Sequence, residues 1–172
     1  MKVGIVFGTF APMHLGHMDV INIAKEESDK VIVICCGHEG DRGYPRFPLK
    51  KRLELASKEF QDDEKVFVTC LVDTDPEIKK HWNQQQIWNY WVDRMLLLLF
   101  QKELILAKDE LTFYTSEPDY AQLLLATPQH INVHLCERKR KISGTMIREN
   151  MEKNFDQIVS AYQQFLKETD QI

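Results

Sequence analysis

The chain has 172 residues, of which 44% are hydrophobic, and a formal net charge of -4. A chain of this length can bury roughly 70% of the surface that it exposes when unfolded, so it can form a core without disulfides or metal ions. The acidic balance argues against a general nucleic-acid-binding protein. The longest apolar run, 95–100, is far too short for the ~20 residues that span a bilayer, which argues against a membrane protein.

Hydrophobic patterning predicts strands and helices that alternate along the chain. Runs rich in β-branched residues are typical of buried parallel strands, and they occur at 2–7, 30–36, 65–71, 111–115 and 131–135. Helices are predicted where apolar residues recur at helical spacing or follow a proline, at 15–24, from Pro48 onwards, and at 87–100, 118–126, 145–151 and 155–166. Residues 73–86 are polar and are predicted to be irregular. This order predicts an α/β fold, with a Rossmann-like parallel five-stranded sheet and helices on both faces.

Other features of the sequence bear on the cellular compartment of the protein and on its number of domains. The four cysteines form no CxxC pair, so we expect reduced thiols: Cys35, Cys36, Cys70 and Cys136. No charged and apolar signal segment precedes the first predicted strand, so a cytoplasmic location is predicted. No repeat or linker composition divides the chain, and we predict a single domain over residues 1–172.

A glycine- and histidine-rich stretch, Gly8 to His17, joins the first predicted strand to the first helix. The start of a helix directs free backbone N–H groups and a positive dipole end at its surroundings, which favours an anion. Gly8 allows a close backbone approach, and Gly16 removes a side chain between the two imidazoles. Taken alone, His14 and His17 could also be helix caps or metal ligands. In this context we expect them to donate hydrogen bonds to a phosphate.

A second stretch, Ile142 to Arg148, combines hydroxyl groups, a helix start and an arginine. Ser143 fits an N-cap, and Gly144 and Thr145 open the predicted helix. Hydroxyls, free amides and a guanidinium group can therefore converge on a polyphosphate. The alternative is an ordinary capped helix with a solvated arginine.

Together the two stretches resemble the HxGH-containing nucleotidyltransferases, whose marks are a GxFxPxHxGH turn and an ISxTxxR turn. The chain is most similar to the NadR-type nicotinamide mononucleotide adenylyltransferases, through Arg46-x-Pro-Leu-x-x-Arg52, Trp88-Asn-Tyr-Trp91 and Thr115-Ser-Glu-Pro-Asp-Tyr120. The resemblance implies an enzyme that transfers AMP from ATP to nicotinamide mononucleotide by in-line displacement, giving NAD and pyrophosphate. Its ligands are then ATP and nicotinamide mononucleotide.

The resemblance also assigns roles to individual residues. It implies that His14, His17 and Arg148 are catalytic. The implied ATP-binding set is Gly8, Thr9, Phe10, His14, Gly16, His17, Ser116, Ile142, Ser143, Thr145 and Arg148. The implied mononucleotide-binding set is Trp88, Arg42, Arg46 and Arg52, although Trp88 could be a core residue and each arginine a solvated surface charge. Mg²⁺ is expected to enter with ATP, and no protein metal site is predicted.

Several alternatives stay open from the sequence. Pantetheine-phosphate adenylyltransferases and glycerol-phosphate-type cytidylyltransferases share both turns, and a non-catalytic NAD or ATP sensor would keep the same fold. NadR proteins often continue into a P-loop kinase domain, and no GxxxxGK[ST] occurs here, so the chain is either a stand-alone form or a fragment. The sequence is compatible with a homo-oligomer, and it does not decide between nicotinamide and nicotinate mononucleotides.

Overall fold

The computed structural model of the protein describes residues 1–38, 46–129 and 131–171. The strands in these ranges are Lys2–Gly8 (β1), Lys30–Gly37 (β2), Val66–Val72 (β3), Glu110–Thr115 (β4) and Asn132–Leu135 (β5). The α-helices are Leu15–Glu27 (α1), Leu49–Glu59 (α2), Pro76–Lys79 (α3), Gln84–Gln101 (α4), Pro118–Leu125 (α5), Gly144–Glu149 (α6) and Ser160–Glu168 (α7). A 3-10 turn, Phe155–Gln157, precedes α7.

The five strands form one parallel sheet in the order β3-β2-β1-β4-β5. β1 is central, and its Ile5 pairs with Ile32 of β2 on one side and with Phe113 of β4 on the other. The chain runs outward from β1 to β3 and then crosses to β4, so β1 and β4 flank the point where the strand order switches. Open α/β sheets bind ligands outside the carboxyl ends of the strands at such a point.

Two apolar cores cover the two faces of the sheet, because each interior strand is buried on both sides. In β2, Val31 and Val33 pack into the core built with α1, α2 and α7. Ile32 and Ile34 alternate with them and pack into the core built with α4 and α5. Burial on both faces explains the continuous apolar runs of the strands. The predicted parallel sheet with helices on both faces is confirmed.

Two segments differ from the prediction. Within the polar stretch 73–86, Asp75 caps the short helix α3 by accepting from the Glu77 N–H at 2.9 Å. The predicted helix over 155–166 is broken, since only its second part is α-helical and its first part is a 3-10 turn. Val159 is extended because its N–H donates to the Met13 carbonyl at 3.2 Å, which ties the segment to the turn before α1.

None of the helices among the described residues combines the length and the apolar character that crossing a bilayer requires.

Candidate active site

A cleft of about 700 Å³ opens at the carboxyl edge of the sheet. Gly8 at the end of β1 and Thr115 at the end of β4 both line it, so it lies at the switch in strand order. Other walls come from the turn before α1, from the start of α6 and from the beginning of α4. Its volume is in the range of ordinary ligand-binding clefts. We call the stretch Gly8 to His17 the histidine turn.

The two histidines of this turn cap helix α1. The Gly16 N–H donates to Nδ1 of His14 at 3.1 Å, and the His14 N–H donates to Nδ1 of His17 at 3.1 Å. Because each Nδ1 accepts a hydrogen bond, we assign the ring proton of each neutral imidazole to Nε2. Both rings line the cleft and stack with their centroids 3.7 Å apart. Capping and exposure to the cleft are therefore combined in the same side chains.

Both imidazoles are neutral at neutral pH. Burial, and then the guanidinium groups of Arg138 and Arg148, lowers the pKa of His14 from its ordinary 6.5 to about 4. Burial and the stacked His14 ring lower the pKa of His17 well below its ordinary value. Two positive charges at a ring separation of 3.7 Å would repel strongly. The turn thus offers two uncharged Nε2–H donors to a ligand.

Helix α6 meets the histidine turn through Arg148. Ser143 is the N-cap of α6, and its hydroxyl accepts from the Met146 N–H at 3.1 Å. Arg148 donates to the Ala11 carbonyl at 3.0 Å and to the Thr145 hydroxyl at 3.2 Å. One guanidinium therefore links both motifs, and the start of α6 lines the same cleft as the two histidines. This arrangement can surround a polyphosphate with donors from two helix starts.

Four aromatic side chains line another part of the cleft, and we call them the aromatic wall: Phe7, Trp88, Trp91 and Tyr120. The Phe7 ring lies 4.8 Å from Trp91 and 5.9 Å from Trp88, and the Trp88 ring lies 5.0 Å from Tyr120, between centroids. Trp91 is almost fully buried, whereas Trp88 and Tyr120 keep partly exposed rings. Aromatic faces of this kind attract cations and flat rings.

The family model described as cytidylyltransferase-like matches residues 5–150, a range that contains the histidine turn and α6. The chain belongs to the cytidylyltransferase-like family. It is therefore a member of the nucleotidyltransferase superfamily, as the two turns predicted.

Curated relatives match part of this cytidylyltransferase-like chain. It is 42% identical over 66 residues to a phosphopantetheine adenylyltransferase of Helicobacter acinonychis, which is 37% of this chain and 41% of the relative. The match to the enzyme of the same name from Alkaliphilus metalliredigens is 37% over 70 residues, or 41% of this chain and 43% of that one. The matches thus span about two fifths of the curated relatives.

Solved structures match nearly all of this chain. A NadR protein in complex with NAD and AMP-PNP has 28% identity and a TM-score of 0.75, over 96% of this chain and 46% of that chain. A bifunctional NMN adenylyltransferase/ADP ribose pyrophosphatase from Francisella tularensis has a TM-score of 0.65 at 16% identity, over 92% of this chain and 43% of that one, which shows the fold alone. The chain spans less than half the length of these structures.

The residues that the sequence predicts to bind ATP line the cleft together with Trp88. The residues of that set that line it are Gly8, Thr9, Phe10, His14, Gly16, His17, Ser116, Ile142, Ser143, Thr145 and Arg148. They come from the ends of β1 and β4 and from the starts of α1 and α6, which are far apart in sequence.

Of the three arginines predicted to bind the mononucleotide phosphate, the two that the structure describes, Arg46 and Arg52, do not line the cleft. Arg42 lies outside the described residues. Arg46 is exposed and donates to the Gln171 carbonyl at 2.8 Å, away from the cleft lining. Arg52 is fully buried beneath the histidine turn and does not line the cleft either. For Arg46 and Arg52, the described contacts are structural.

Arg52 joins several backbone carbonyls below the cleft. Its guanidinium donates to the carbonyls of Thr9 at 2.7 Å, Cys36 at 2.8 Å and Phe47 at 2.9 Å, and also to that of His38. These carbonyls belong to the histidine turn, to the end of β2 and to the segment before α2. The sequence suggested a phosphate-binding or a solvated arginine, because it shows the charge of Arg52 but not the carbonyls that the fold gathers around it.

Several residues that line the cleft were not predicted as site residues. Asp73 and Lys79 lie in the stretch that was predicted to be irregular. The sequence feature that could have identified Asp73 as a cleft residue is its position directly after strand β3. Arg138 and Arg140 belong to a basic cluster that the sequence shows, but their partners come from remote elements. Arg138 pairs with Glu117, and Arg140 pairs with Asp19 at 2.7 Å.

No cluster of three or more histidine, cysteine, aspartate or glutamate side chains suited to a metal ion occurs in the described ranges. The four cysteines form no disulfide in this structure. Burial raises the pKa of Cys35 to about 12 and that of Cys36 further, which leaves both thiols protonated at neutral pH.

Gly16 is a position where a small change should displace an imidazole of the histidine turn. A Cβ atom there would lie 2.9 Å from Cε1 of the His14 ring and 3.2 Å from a methyl carbon of Ile142. Gly16→Ala should therefore displace the imidazole and lower kcat/KM for nucleotidyl transfer roughly tenfold. Steady-state kinetics check this result, with thermal unfolding as the control, since alanine itself favours the helix. Full activity in the variant would show that the position of the His14 ring is not critical.

Proposed function

We propose that the chain is a nicotinamide mononucleotide adenylyltransferase, which transfers AMP from ATP to nicotinamide mononucleotide. The observation that carries the proposal is the aromatic wall in the same cleft as the histidine turn. A pyridinium ring is flat and cationic, so it gains from contact with the faces of Trp88 and Tyr120. The uncharged, flexible arm of phosphopantetheine gains less from such a surface.

The similarity to NadR structures supports the same assignment. The two NadR structures, one in complex with NAD and AMP-PNP and one with NR, are each 28% identical to this chain over 96% of its length. NAD is the product that the proposed reaction forms, and AMP-PNP is an analogue of its ATP substrate. This chain spans less than half of those proteins, and we propose that it binds the same kinds of ligand.

The proposed reaction needs no protein nucleophile. The 5′-phosphate of the mononucleotide is already anionic and attacks the α-phosphorus of ATP in line, while the bond to the pyrophosphate leaving group breaks. The work left to the protein is alignment and stabilisation of charge on the phosphate oxygens. The cleft offers groups for both tasks at the switch between β1 and β4.

Each motif has a distinct task in this mechanism. The Nε2–H groups of His14 and His17 donate to oxygens on which charge develops, and their lowered pKa values keep them uncharged donors in the free protein. Ser143, Thr145 and Arg148 hold the outer phosphates at the start of α6. The donor set suits a triphosphate that brings its own Mg²⁺, which supplies further charge neutralisation.

A coupled assay tests the function directly. Purified protein with Mg²⁺, ATP and nicotinamide mononucleotide is expected to form NAD and pyrophosphate in equal amounts, measured by an NAD-dependent dehydrogenase and a pyrophosphatase assay. Phosphopantetheine with ATP, and glycerol phosphate with CTP, are run in parallel. Pyrophosphate release with one of these acceptors and no NAD from the mononucleotide would overturn the proposal.

Phosphopantetheine adenylyltransferase is the second candidate, and the curated sequence relatives favour it. The identity of 42% over 66 residues is higher than that to the NadR structures, but it covers only 37% of this chain. The aromatic wall favours nicotinamide mononucleotide, because it bears on the acceptor substrate, whereas both candidate enzymes share the ATP motifs. Binding of ATP and NAD by calorimetry without any turnover would instead favour a sensor.

Trp88→Ala tests the aromatic wall. Loss of the ring face should raise KM for the mononucleotide about tenfold and leave KM for ATP nearly unchanged, since a cation on a partly desolvated indole gains on the order of 1–2 kcal/mol. Initial-rate kinetics with each substrate varied measure this difference. Trp82→Ala is the matched control, because Trp82 packs on Tyr90 and does not line the cleft. Equal effects on both KM values would indicate disrupted packing of α4 instead.

A further inference from the structure

An ion pair in the wall of the cleft has no role in the mechanism above. Asp73 follows β3, Lys79 ends α3, and both line the cleft together with Trp88. The Lys79 ammonium group donates to Oδ2 of Asp73 at 3.1 Å, and both side chains are only partly exposed, at 25% and 35%. The pair therefore presents an anionic acceptor beside a cationic donor to a ligand bound in the cleft.

The surrounding backbone holds this pair in place. The Asp73 N–H donates to the Gly37 carbonyl at 3.1 Å, which fixes Asp73 to the end of β2. The Thr74 N–H donates to Oδ1 of Asp73 at 2.7 Å, which orients the carboxylate. Arg94 donates to the Val72 carbonyl at 2.8 Å. Because Arg94 and Trp88 belong to the same helix, α4, the ion pair and the indole ring are fixed relative to each other.

The pair has unused hydrogen-bonding capacity on the cleft side. A carboxylate offers about four lone-pair sites, and two described donors occupy two of those of Asp73. An ammonium group has three protons, and among the described residues Lys79 donates to Asp73. One further acceptor site and one further donor site can thus serve a bound ligand without breaking the pair.

We propose that Asp73 and Lys79 recognise the substituent of the pyridine ring and select the carboxamide of nicotinamide mononucleotide over the carboxylate of nicotinate mononucleotide. A primary carboxamide has an N–H donor for Asp73 and a C=O acceptor for Lys79. A carboxylate has acceptors only and brings a negative charge against Asp73. If Lys79 turned to that carboxylate, Asp73 would lose its counter-ion. This inference rests on the proposed function.

Substitutions of Asp73 and Lys79 should shift the preference between the two mononucleotides in opposite directions. The wild-type protein should have a higher kcat/KM for nicotinamide than for nicotinate mononucleotide. Asp73→Asn removes the repelling charge and should shift the ratio of the two values about tenfold towards nicotinate. Lys79→Met leaves the carboxylate without its counter-ion and should shift the ratio further towards nicotinamide. In both variants KM for ATP should stay within about twofold, which also shows that the fold is retained.

The matched control is Glu54→Gln, which removes the exposed Lys51 ion pair of 2.8 Å on α2, outside the cleft lining. It should leave the ratio unchanged. A ratio that neither Asp73→Asn nor Lys79→Met alters would identify an ordinary surface ion pair and overturn the inference while NAD formation still stands. If wild-type protein uses neither pyridine mononucleotide but does use phosphopantetheine, the proposed function fails, and the inference fails with it.

Discussion

Replacing His17 with alanine is expected to lower kcat by at least ~10²-fold and to change the KM values little. The Nδ1 atom of His17 accepts from the His14 backbone N–H at 3.1 Å, so its Nε2–H is the donor left for the phosphate. A donor that strengthens only as charge develops contributes to the transition state more than to substrate binding. Initial-rate measurements with Mg²⁺, ATP and nicotinamide mononucleotide test this expectation.

The matched control for that variant is His81→Ala, because His81 is exposed and lies outside the lining of the cleft. It should keep wild-type kcat. An unchanged kcat in His17→Ala would remove this imidazole from the chemistry. A lower thermal unfolding temperature with a proportionate loss of active protein would instead indicate that capping of α1 is its main role.

Replacing Arg52 with methionine is expected to destabilise the protein severely, by about 3–5 kcal/mol in the free energy of unfolding. The buried guanidinium donates to the carbonyls of Thr9, Cys36, Phe47 and His38, and methionine would leave these acceptors without that donor. Because a domain has only ~5–15 kcal/mol of stability, much of it would be lost. Thermal unfolding should show a midpoint lowered by roughly 10 °C or more.

Arg46→Met is the matched comparison, since Arg46 is exposed and donates to the Gln171 carbonyl at 2.8 Å. It should change the unfolding midpoint by no more than a few degrees. Arg52→Lys should be intermediate, because a single ammonium group cannot reach as many carbonyls as the planar guanidinium fork. A stable Arg52→Met protein with a raised KM for the mononucleotide would restore the phosphate-binding role that the sequence suggested.

The two arginines illustrate why the sequence predicts the phosphate-type motifs of the cleft more fully than its other walls. Each of those motifs is local, and the spacing of His14 and His17 around a helix start already defines a geometry. The residues that we propose for the acceptor come from the segment after β3 and from α3, α4 and α5, which no local pattern links. That Asp73, Lys79 and Trp88 line one cleft follows from the crossing of the chain from β3 to β4.

The break in the helix before α7 also results from contacts with a segment that is remote in sequence. Apolar spacing predicts one helix over 155–166, and local propensity does not oppose it. In the fold, Ile158 forms a bridge with His14, and the Val159 N–H donates to the Met13 carbonyl at 3.2 Å. Tyr162 then reaches the Phe10 carbonyl at 2.9 Å. Hydrogen bonds to a remote segment compensate for the interrupted helix, and only the tertiary structure supplies them.

The sequence by itself determined the alternation of strands and helices, the parallel sheet buried on both faces, and the two phosphate-type motifs. These features depend on the period of apolar residues and on caps such as Ser143, which act over a few residues. The tertiary structure alone decided that Arg52 is buried beneath the histidine turn and that Asp73 and Lys79 face the cleft. A charged side chain shows its charge in the sequence, but its partners are chosen by the elements that folding brings beside it.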